Sequence, residues 1–283
     1  VEHHAVLRAA EACRQSGAHV TTLPVTPGGG LDLDLAGQAL SEGPALASVM
    51  WVNNETGMLL PVHAVTSLAA EHGAVVHTDA AQAVGKVPVD VRDVPVHMLS
   101  MTAHKIYGPK GAGLLFLREG TAIAPLLYGG GQERGLRPGT QDVAGAVGLA
   151  TALRLAVEEQ RAEGERLATL RDRLAALLCA AIEGLRINAS EAERAPHVLS
   201  VGVPGVHDGA ALVMALDIGG VGVSGGSACS SGATGASHVI RTLYGPHDRR
   251  ATVRFSLGRD TDHHAIERAV RATTEVVAQM GAA

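Results

Sequence analysis

In MLSMTAHK, residues 98–105, a short apolar run leads into a histidine and a lysine. A second run of this kind, VVHTD at residues 75–79, ends in an aspartate. Helical patterns, such as residues 61–73, lie between the runs, and this alternation is typical of an α/β layer on a mostly parallel sheet. We therefore expect an α/β fold with Asp79 and Lys105 at the carboxyl ends of strands, where ligands bind in such sheets.

The chain has 283 residues, enough for one large or two ordinary domains. Apolar residues follow a helical period from about 149 to 182, and the remainder reads as a smaller α+β unit. We predict a large domain over residues 1–155 and a small C-terminal domain over 156–283. The chain opens on helical sequence with no element before it, which predicts a large domain that is incomplete at its N-terminus.

Composition argues against several classes of function. The formal charge is −5 and aromatic residues make up only 2%, which disfavours a nucleic-acid partner that needs a basic face or stacking platforms. No apolar run approaches the ~18 residues of a membrane span. The three cysteines are scattered and no signal peptide precedes the first element. These features predict a cytoplasmic protein without a nucleic-acid or membrane partner.

Lysine is rare in this chain, with only Lys86, Lys105 and Lys110. A partly desolvated lysine at a strand end can form an imine, and Asp79 could face Lys105 across a ligand. Pyridoxal phosphate (PLP) needs such a pair, an amine for covalent attachment and an acid for its ring nitrogen. The structural alternatives are a surface lysine beside a turn and an aspartate that caps the helix from Ala80.

A metal site is the rival interpretation of the same stretch, with His77, Asp79 and His104 as ligands. The chain has 14 histidines but no His-x-x-x-His or Cys-x-x-Cys spacing. Because the usual ligand spacings are missing, we expect no metal.

Cys229 lies in the glycine- and serine-rich stretch SGGSACSSG, residues 224–232. Such a loop cannot bury a thiol, so the cysteine is a candidate nucleophile or redox group, with an incidental loop cysteine as the alternative. Cys13 and Cys179 fall inside helical apolar patterns and are expected to be inert packing residues.

Two further stretches carry candidate ligand groups. In TVRFSL, residues 252–257, strand alternation places Arg254 opposite the apolar side chains, where it could grip a carboxylate or form a surface ion pair. In GGGQERGLRPGT, residues 129–140, backbone amides and the Thr140 hydroxyl could receive a phosphate.

Taken together, six motifs resemble those of NifS/IscS-like cysteine desulfurases, which are fold type I PLP enzymes of the class V aminotransferase group. They run in family order along the chain: VNNETG (52–57), HTDAAQAVGK (77–86), SMTAHKIYGPKGAG (100–113), GGGQERGLRPGT (129–140), SGGSACSS (224–231) and VRFSLGR (253–259). The resemblance implies conversion of L-cysteine to L-alanine, with the sulfur passed on for iron–sulfur cluster or thio-cofactor biosynthesis. It also implies a homodimer and a sulfur-acceptor protein as partners.

The resemblance also implies a role for each matching residue. Lys105 would hold PLP as a Schiff base and carry protons, and Cys229 would take the sulfur as a persulfide. For the cofactor ring, the resemblance implies that His3 stacks on it, Asp79 pairs with its pyridinium nitrogen and Gln82 contacts its phenolate oxygen. Asn54 would bind both the cofactor and the substrate carboxylate, and Arg254 would bind the carboxylate. The phosphate contacts would come from Thr102, His104 and, from the second subunit, Thr140.

The chain departs from the family pattern at three places. Thr102-Ala103 replaces a more usual Ser-Gly, and Pro138 replaces a small residue. The family's upstream Gly-Thr loop, whose amides bind the PLP phosphate, has no counterpart before His3, which predicts weak PLP binding and little activity for this chain. The alternatives are a selenocysteine lyase, a class V aminotransferase, or a catalytically silent fragment that acts as a scaffold.

Overall fold

A computed structural model describes residues 1–226 and 237–281. Helices and short strands alternate in the first half, as the apolar patterns predict. The elements there are α1 (His4–Gln15), α2 (Leu33–Ser41), β1 (Leu46–Ser48), α3 (Val62–Glu71), β2 (Val75–Asp79), β3 (Met98–Thr102), a 3-10 turn (Ala103–Ile106) and β4 (Gly113–Leu117).

The first sheet has the order β1-β2-β3-β4, with β1, β2 and β3 parallel and β4 antiparallel. The predicted α/β fold with a mostly parallel sheet is confirmed. Asp79 pairs with Ser100 across β2 and β3. Alternate residues of both strands are buried, which leaves His77 and Asp79 of β2, and Ser100 and Thr102 of β3, half-buried at the other positions.

The second half contains one long helix and a second sheet. A 3-10 turn (Gln132–Gly135) precedes α4 (Val143–Ala181), and there follow β5 (Arg186–Ile187), β6 (Val198–Val203), α5 (Gly209–Ile218), β7 (Ser224–Gly225), α6 (His238–Tyr244), β8 (Ala251–Ser256) and α7 (His263–Gly281). This sheet has the order β5-β6-β8-β7, and all its pairs are antiparallel.

Among the described residues, two hydrophobic clusters form the core, and α4 contributes to both. Leu149 and Ala152 lie in the cluster beneath the first sheet, whereas Leu167 and the apolar stripe after it lie in the second. Helix α6, although late in the chain, contributes Val239 and Leu243 to the first cluster. The domain boundary near residue 155 stays a prediction.

The expectation that Cys13 and Cys179 are packing residues is wrong, because both are exposed. Helix α1 has no buried residue against which Cys13 would pack. Cys179 follows the fully buried Leu178, and one step along a helix turns the side chain by about 100° away from the apolar stripe. No helix within residues 1–226 and 237–281 is long and apolar enough to cross a membrane.

Candidate functional site

Asp79 lies at the carboxyl end of β2, beside the end of β3. Its Oδ1 accepts a hydrogen bond from the backbone nitrogen of Ala81 at 3.0 Å, so the carboxylate caps a turn where the sequence also allowed a helix cap. The backbone nitrogen of Ala80 donates to the oxygen of Ser100 at 2.9 Å. Asp79 is therefore held beside β3 and is half-buried at the carboxyl end of β2.

Lys105 lies in the 3-10 turn that directly follows β3 and is exposed, as is its neighbour His104. Thr102 begins the turn, and its Oγ1 lies 2.8 Å from Nδ1 of His104. A hydroxyl, an imidazole and an amine thus belong to residues 102–105 at one strand end. The exposure of the amine and the imidazole leaves them accessible to a ligand.

Tyr107 fixes the end of this turn. It adopts a left-handed conformation (φ 65°), which is uncommon for a residue with a bulky side chain. Its hydroxyl accepts from the backbone nitrogen of Arg259 at 2.9 Å, and the Lys86 ammonium and the Arg259 guanidinium each lie 5.1 Å from its ring centre. These contacts tie the lysine-bearing turn to the segment after β8.

His77 bridges three strands two residues before Asp79. Its Nδ1 lies 2.8 Å from Oγ of Ser48 on β1, and its Nε2 lies 2.8 Å from Oγ of Ser100 on β3. Burial lowers the pKa of His77, against the opposing effect of Asp79. Both ring nitrogens are hydrogen-bonded to serine hydroxyl groups, so His77 connects the three strands.

A metal site would need at least three acidic, histidine or cysteine side chains close together. No such group occurs within the two described ranges of the chain.

Gln82 follows Asp79 in the same motif and contacts a buried histidine. Its Oε1 lies 3.3 Å from Nε2 of His197, which is only 6% exposed. Burial and then the positive charges of Lys86 and Arg254, among others, lower the pKa of His197 to about 3. Sequence reasoning missed His197, because a lone histidine before a strand carries no recognisable spacing.

Arg254 and Asn54 lie together although they are distant in sequence. Arg254 is on β8, between the buried Val253 and Phe255, and its half-buried side chain points to the opposite face. Nη1 of Arg254 donates to the backbone oxygen of Asn54 at 2.7 Å. The predicted strand alternation is confirmed, and the two candidate carboxylate-binding residues are neighbours.

His3 caps the N-terminus of α1, where its Nδ1 accepts from the nitrogen of Ala5 at 3.2 Å. The residues beside it bind the segment after β1. Oε1 of Glu2 accepts from the nitrogen of Met50 at 2.6 Å, and Asn53 Nδ2 donates to the oxygen of Val1 at 2.9 Å. Burial raises the pKa of Glu2 to about 7. His3 is thereby held next to the turn that carries Asn54.

Glu55 is a buried acid that sequence reasoning did not single out, although it belongs to the motif VNNETG. It is 2% exposed, and its Oε2 accepts a short hydrogen bond from the hydroxyl of Ser237. A Cβ added at Gly226 would lie 2.7 Å from the same oxygen. Burial raises the pKa of Glu55. Residues 226 and 237 flank the stretch with Cys229, which itself lies outside the described residues.

Thr140 is exposed in the loop between β4 and α4. Within this loop Glu133 and Arg134 adopt left-handed conformations, with φ of 49° and 58°. The role expected of Thr140 requires a second subunit and stays a prediction.

Comparison with known proteins agrees with this arrangement. The family model for class-V aminotransferases matches residues 1–269. Cysteine desulfurase NifS of Azotobacter vinelandii is 41% identical over 281 residues, which are 99% of this chain and 70% of that protein.

Solved structures give the same result. A NifS-like protein superposes with a TM-score of 0.89 at 32% identity, over 99% of this chain and 73% of that one. A second structure, SspA in complex with cysteine, has a TM-score of 0.75 at 29% identity, over 91% and 71% of the two chains. The chain therefore belongs to the class-V aminotransferase family and, within it, to the NifS/IscS-like cysteine desulfurases.

Proposed function

We propose that the carboxyl ends of β2 and β3 bind PLP, and that the chain uses it to convert L-cysteine to L-alanine. One observation carries the proposal. The exposed Lys105 amine follows β3 directly, while the Asp79 carboxylate ends the neighbouring parallel strand. In a chain of the cysteine desulfurase family, this is the pair of groups that PLP chemistry requires.

The groups present fit the parts of PLP. Lys105 offers an exposed primary amine for covalent attachment to the aldehyde. The Thr102 hydroxyl and the His104 imidazole, 2.8 Å apart, can donate to a phosphate. Asp79 keeps its carboxylate at the rim of the sheet, where it can accept a hydrogen bond from a protonated ring nitrogen.

When bound, PLP supplies an electron sink for negative charge that develops on the carbon bearing the substrate's amino group. Lys105 holds the cofactor and moves protons at its amine. Asp79 keeps the ring nitrogen protonated, because a carboxylate stabilises a neighbouring positive charge. His3, which α1 and Glu2 hold beside the Asn54 turn, would cover the ring.

The substrate carboxylate is assigned to Arg254 and Asn54. A guanidinium pairs with a carboxylate through two parallel hydrogen bonds. One guanidinium nitrogen of Arg254 already donates to the Asn54 backbone oxygen. The orientation of the guanidinium is therefore fixed before substrate binds. The cysteine complex of the similar SspA supports a cysteine substrate. The role of Cys229 as sulfur acceptor remains a prediction from the sequence, as does a protein that receives the sulfur.

The exposed apolar surface supports a homodimer. Leu126 is 94% and Tyr128 87% exposed, and they adjoin the loop that carries Thr140. Val143 and Val147 of α4 are also exposed. A second copy packed on this surface would bury these side chains and bring its own Thr140 loop close to the first subunit.

The experiment is a PLP titration of Lys105→Ala and of the exposed control Lys110→Ala, followed by visible absorbance. We expect the Lys105 variant to fold but to lose the visible band of covalently bound PLP, and the Lys110 variant to keep it. The proposal is overturned if both variants keep the band, or if only Lys110→Ala loses it.

A further inference from the structure

We propose that His197 is a positioning residue that holds the side-chain amide of Gln82 in one orientation, with its oxygen toward the imidazole and its NH2 group free to donate to bound cofactor. The inference rests on the proposed function, because Gln82 follows Asp79 in the cofactor-binding segment. Its geometric basis is the 3.3 Å contact between Nε2 of His197 and Oε1 of Gln82.

The imidazole is rigidly placed. His197 is 6% exposed and stands directly before β6. Its backbone oxygen accepts a hydrogen bond from the backbone nitrogen of Leu257 at 2.8 Å. The residue that follows β8 thus fixes the main chain of His197. Gln82 lies in the turn that follows β2 of the first sheet, so the contact joins the two halves of the molecule. A histidine held in this way determines how the more exposed amide turns.

The protonation state of Nδ1, the second ring nitrogen of His197, determines the orientation of the Gln82 amide. Nδ1 of His197 is buried and has no hydrogen-bond partner among the described residues. It must therefore hold either an unpaired N–H group or an unpaired lone pair. Positive charges on Lys86, Arg254, Lys105 and Arg171 act on this imidazole. Positive surroundings stabilise a lone pair and disfavour an N–H group, so Nδ1 carries the lone pair and Nε2 carries the proton.

A proton on Nε2 leaves Gln82 only one favourable orientation. Nε2–H needs an acceptor, so the amide oxygen faces His197 and the amide nitrogen faces away. The same four cations and the burial keep the imidazole neutral, since they disfavour a second proton. Gln82 thus presents two N–H donors, which suit the electron-rich phenolate oxygen of PLP. Without His197 the amide could turn its oxygen toward that group, and the contact would be repulsive.

The first test examines the protein without PLP. Nitrogen-15 NMR of labelled histidine distinguishes the two neutral tautomers, and His197→Gln identifies the signal among the 14 histidines. We expect the Nε2–H form, with no protonation as the pH falls from about 7.5 to about 5. The Nδ1–H form, or titration near the usual histidine pKa, would overturn the proposal.

The second test measures the dissociation constant of PLP and the position of its visible band. His197→Phe keeps the ring volume but removes the donor, whereas His197→Gln keeps an N–H near the position of Nε2. Loss of one hydrogen bond to a charged group is worth about tenfold in affinity. We expect that loss and a shifted band for the phenylalanine variant, and near-normal values for the glutamine variant.

A double-mutant cycle separates positioning from packing. If His197 acts through Gln82, His197→Phe should have no effect in a Gln82→Ala background. An equal loss in both backgrounds contradicts the proposal. A wild-type protein without a visible PLP band at saturating PLP would instead refute the proposed function. If His197→Phe does not fold, the tautomer measured in the wild type decides the question alone.

Discussion

Nη1 of Arg254 donates to the backbone oxygen of Asn54 over 2.7 Å, although the two residues are 200 positions apart. Asn54 follows the first sheet's β1, and Arg254 belongs to β8 of the second sheet. The bond therefore connects both halves of the molecule at the site assigned to the substrate carboxylate. Any movement between the halves changes the placement of this guanidinium.

Arg254→Ala should raise the KM for L-cysteine about a hundredfold, because it removes two charge-assisted hydrogen bonds of about 1.5–3 kcal/mol each. PLP binding should be nearly unchanged, since no cofactor contact is assigned to this residue. Steady-state kinetics and a PLP titration test both statements, with the exposed Arg249→Ala as the control. A normal KM for Arg254→Ala would refute the assignment.

Gly226→Ala should destabilise the protein by about 1–3 kcal/mol, as overpacking does in a tight site. The new Cβ would lie 2.7 Å from Oε2 of Glu55 and 2.8 Å from Cβ of Ser237. The adjacent Gly225→Ala is a matched control, because nothing lies within 4 Å of a Cβ at that position. Urea unfolding of the two variants checks the difference, and equal stabilities would show that the contact with Glu55 is loose.

Leu126→Asp should convert a dimer to a monomer and weaken PLP binding about tenfold, since the partner's Thr140 loop would be lost. Size-exclusion chromatography with light scattering measures the first effect and absorbance the second. Ile218→Asp is the control, because Ile218 is 81% exposed and belongs to α5, which packs with β8 of the second sheet and α7. A monomeric wild type, or a dimeric Leu126→Asp protein, would contradict the homodimer.

The pH dependence of stability should report on His197. Its pKa falls from 6.5 to about 3 on folding. Below pH 6.5 the imidazole is therefore protonated in the unfolded chain but stays neutral in the native state. Stability is therefore lost as the pH falls, by about 1.4 kcal/mol per pH unit. Relative to His197→Gln, the wild type should lose about 2 kcal/mol more between pH 6.5 and 5. Urea unfolding measures this difference. If the wild type and His197→Gln lost the same free energy of unfolding over this pH range, the histidine would be solvated in the native state.

The strands that carry the site follow from local sequence. Alternating apolar residues predict β2 and β3. Asp79, the last residue of β2, and Lys105, in the turn after β3, fall where a parallel sheet binds ligands. Most of helix α4 was also predictable, because an apolar helical period runs from about residue 149 to 182. Its Gly164 does not interrupt the helix, since the packing on both sides outweighs a glycine penalty of about 1 kcal/mol.

Contacts between distant segments were not predictable from the sequence. His197 and Glu55 are single residues without a motif of their own, and their environment is set by chain segments more than 100 positions away. The exposure of Cys13 and Cys179 was missed for a related reason. A helical pattern shows which residues share a face, but only the packed structure shows which face is covered.

Following the sulfur of L-cysteine tests directly whether this chain acts as a cysteine desulfurase. Because weak PLP binding is expected of this chain, the protein is first saturated with excess PLP and then mixed with L-cysteine in the absence of reductant. L-alanine is quantified, and the masses of the cysteine-containing peptides are measured by mass spectrometry. We predict that alanine forms and that the peptide with Cys229 gains the mass of one sulfur atom. We also predict that Cys229→Ser abolishes both, whereas Cys13→Ser and Cys179→Ser, which remove two exposed thiols, change neither. Alanine formation by Cys229→Ser, or added sulfur on Cys13 or Cys179 alone, would contradict this prediction.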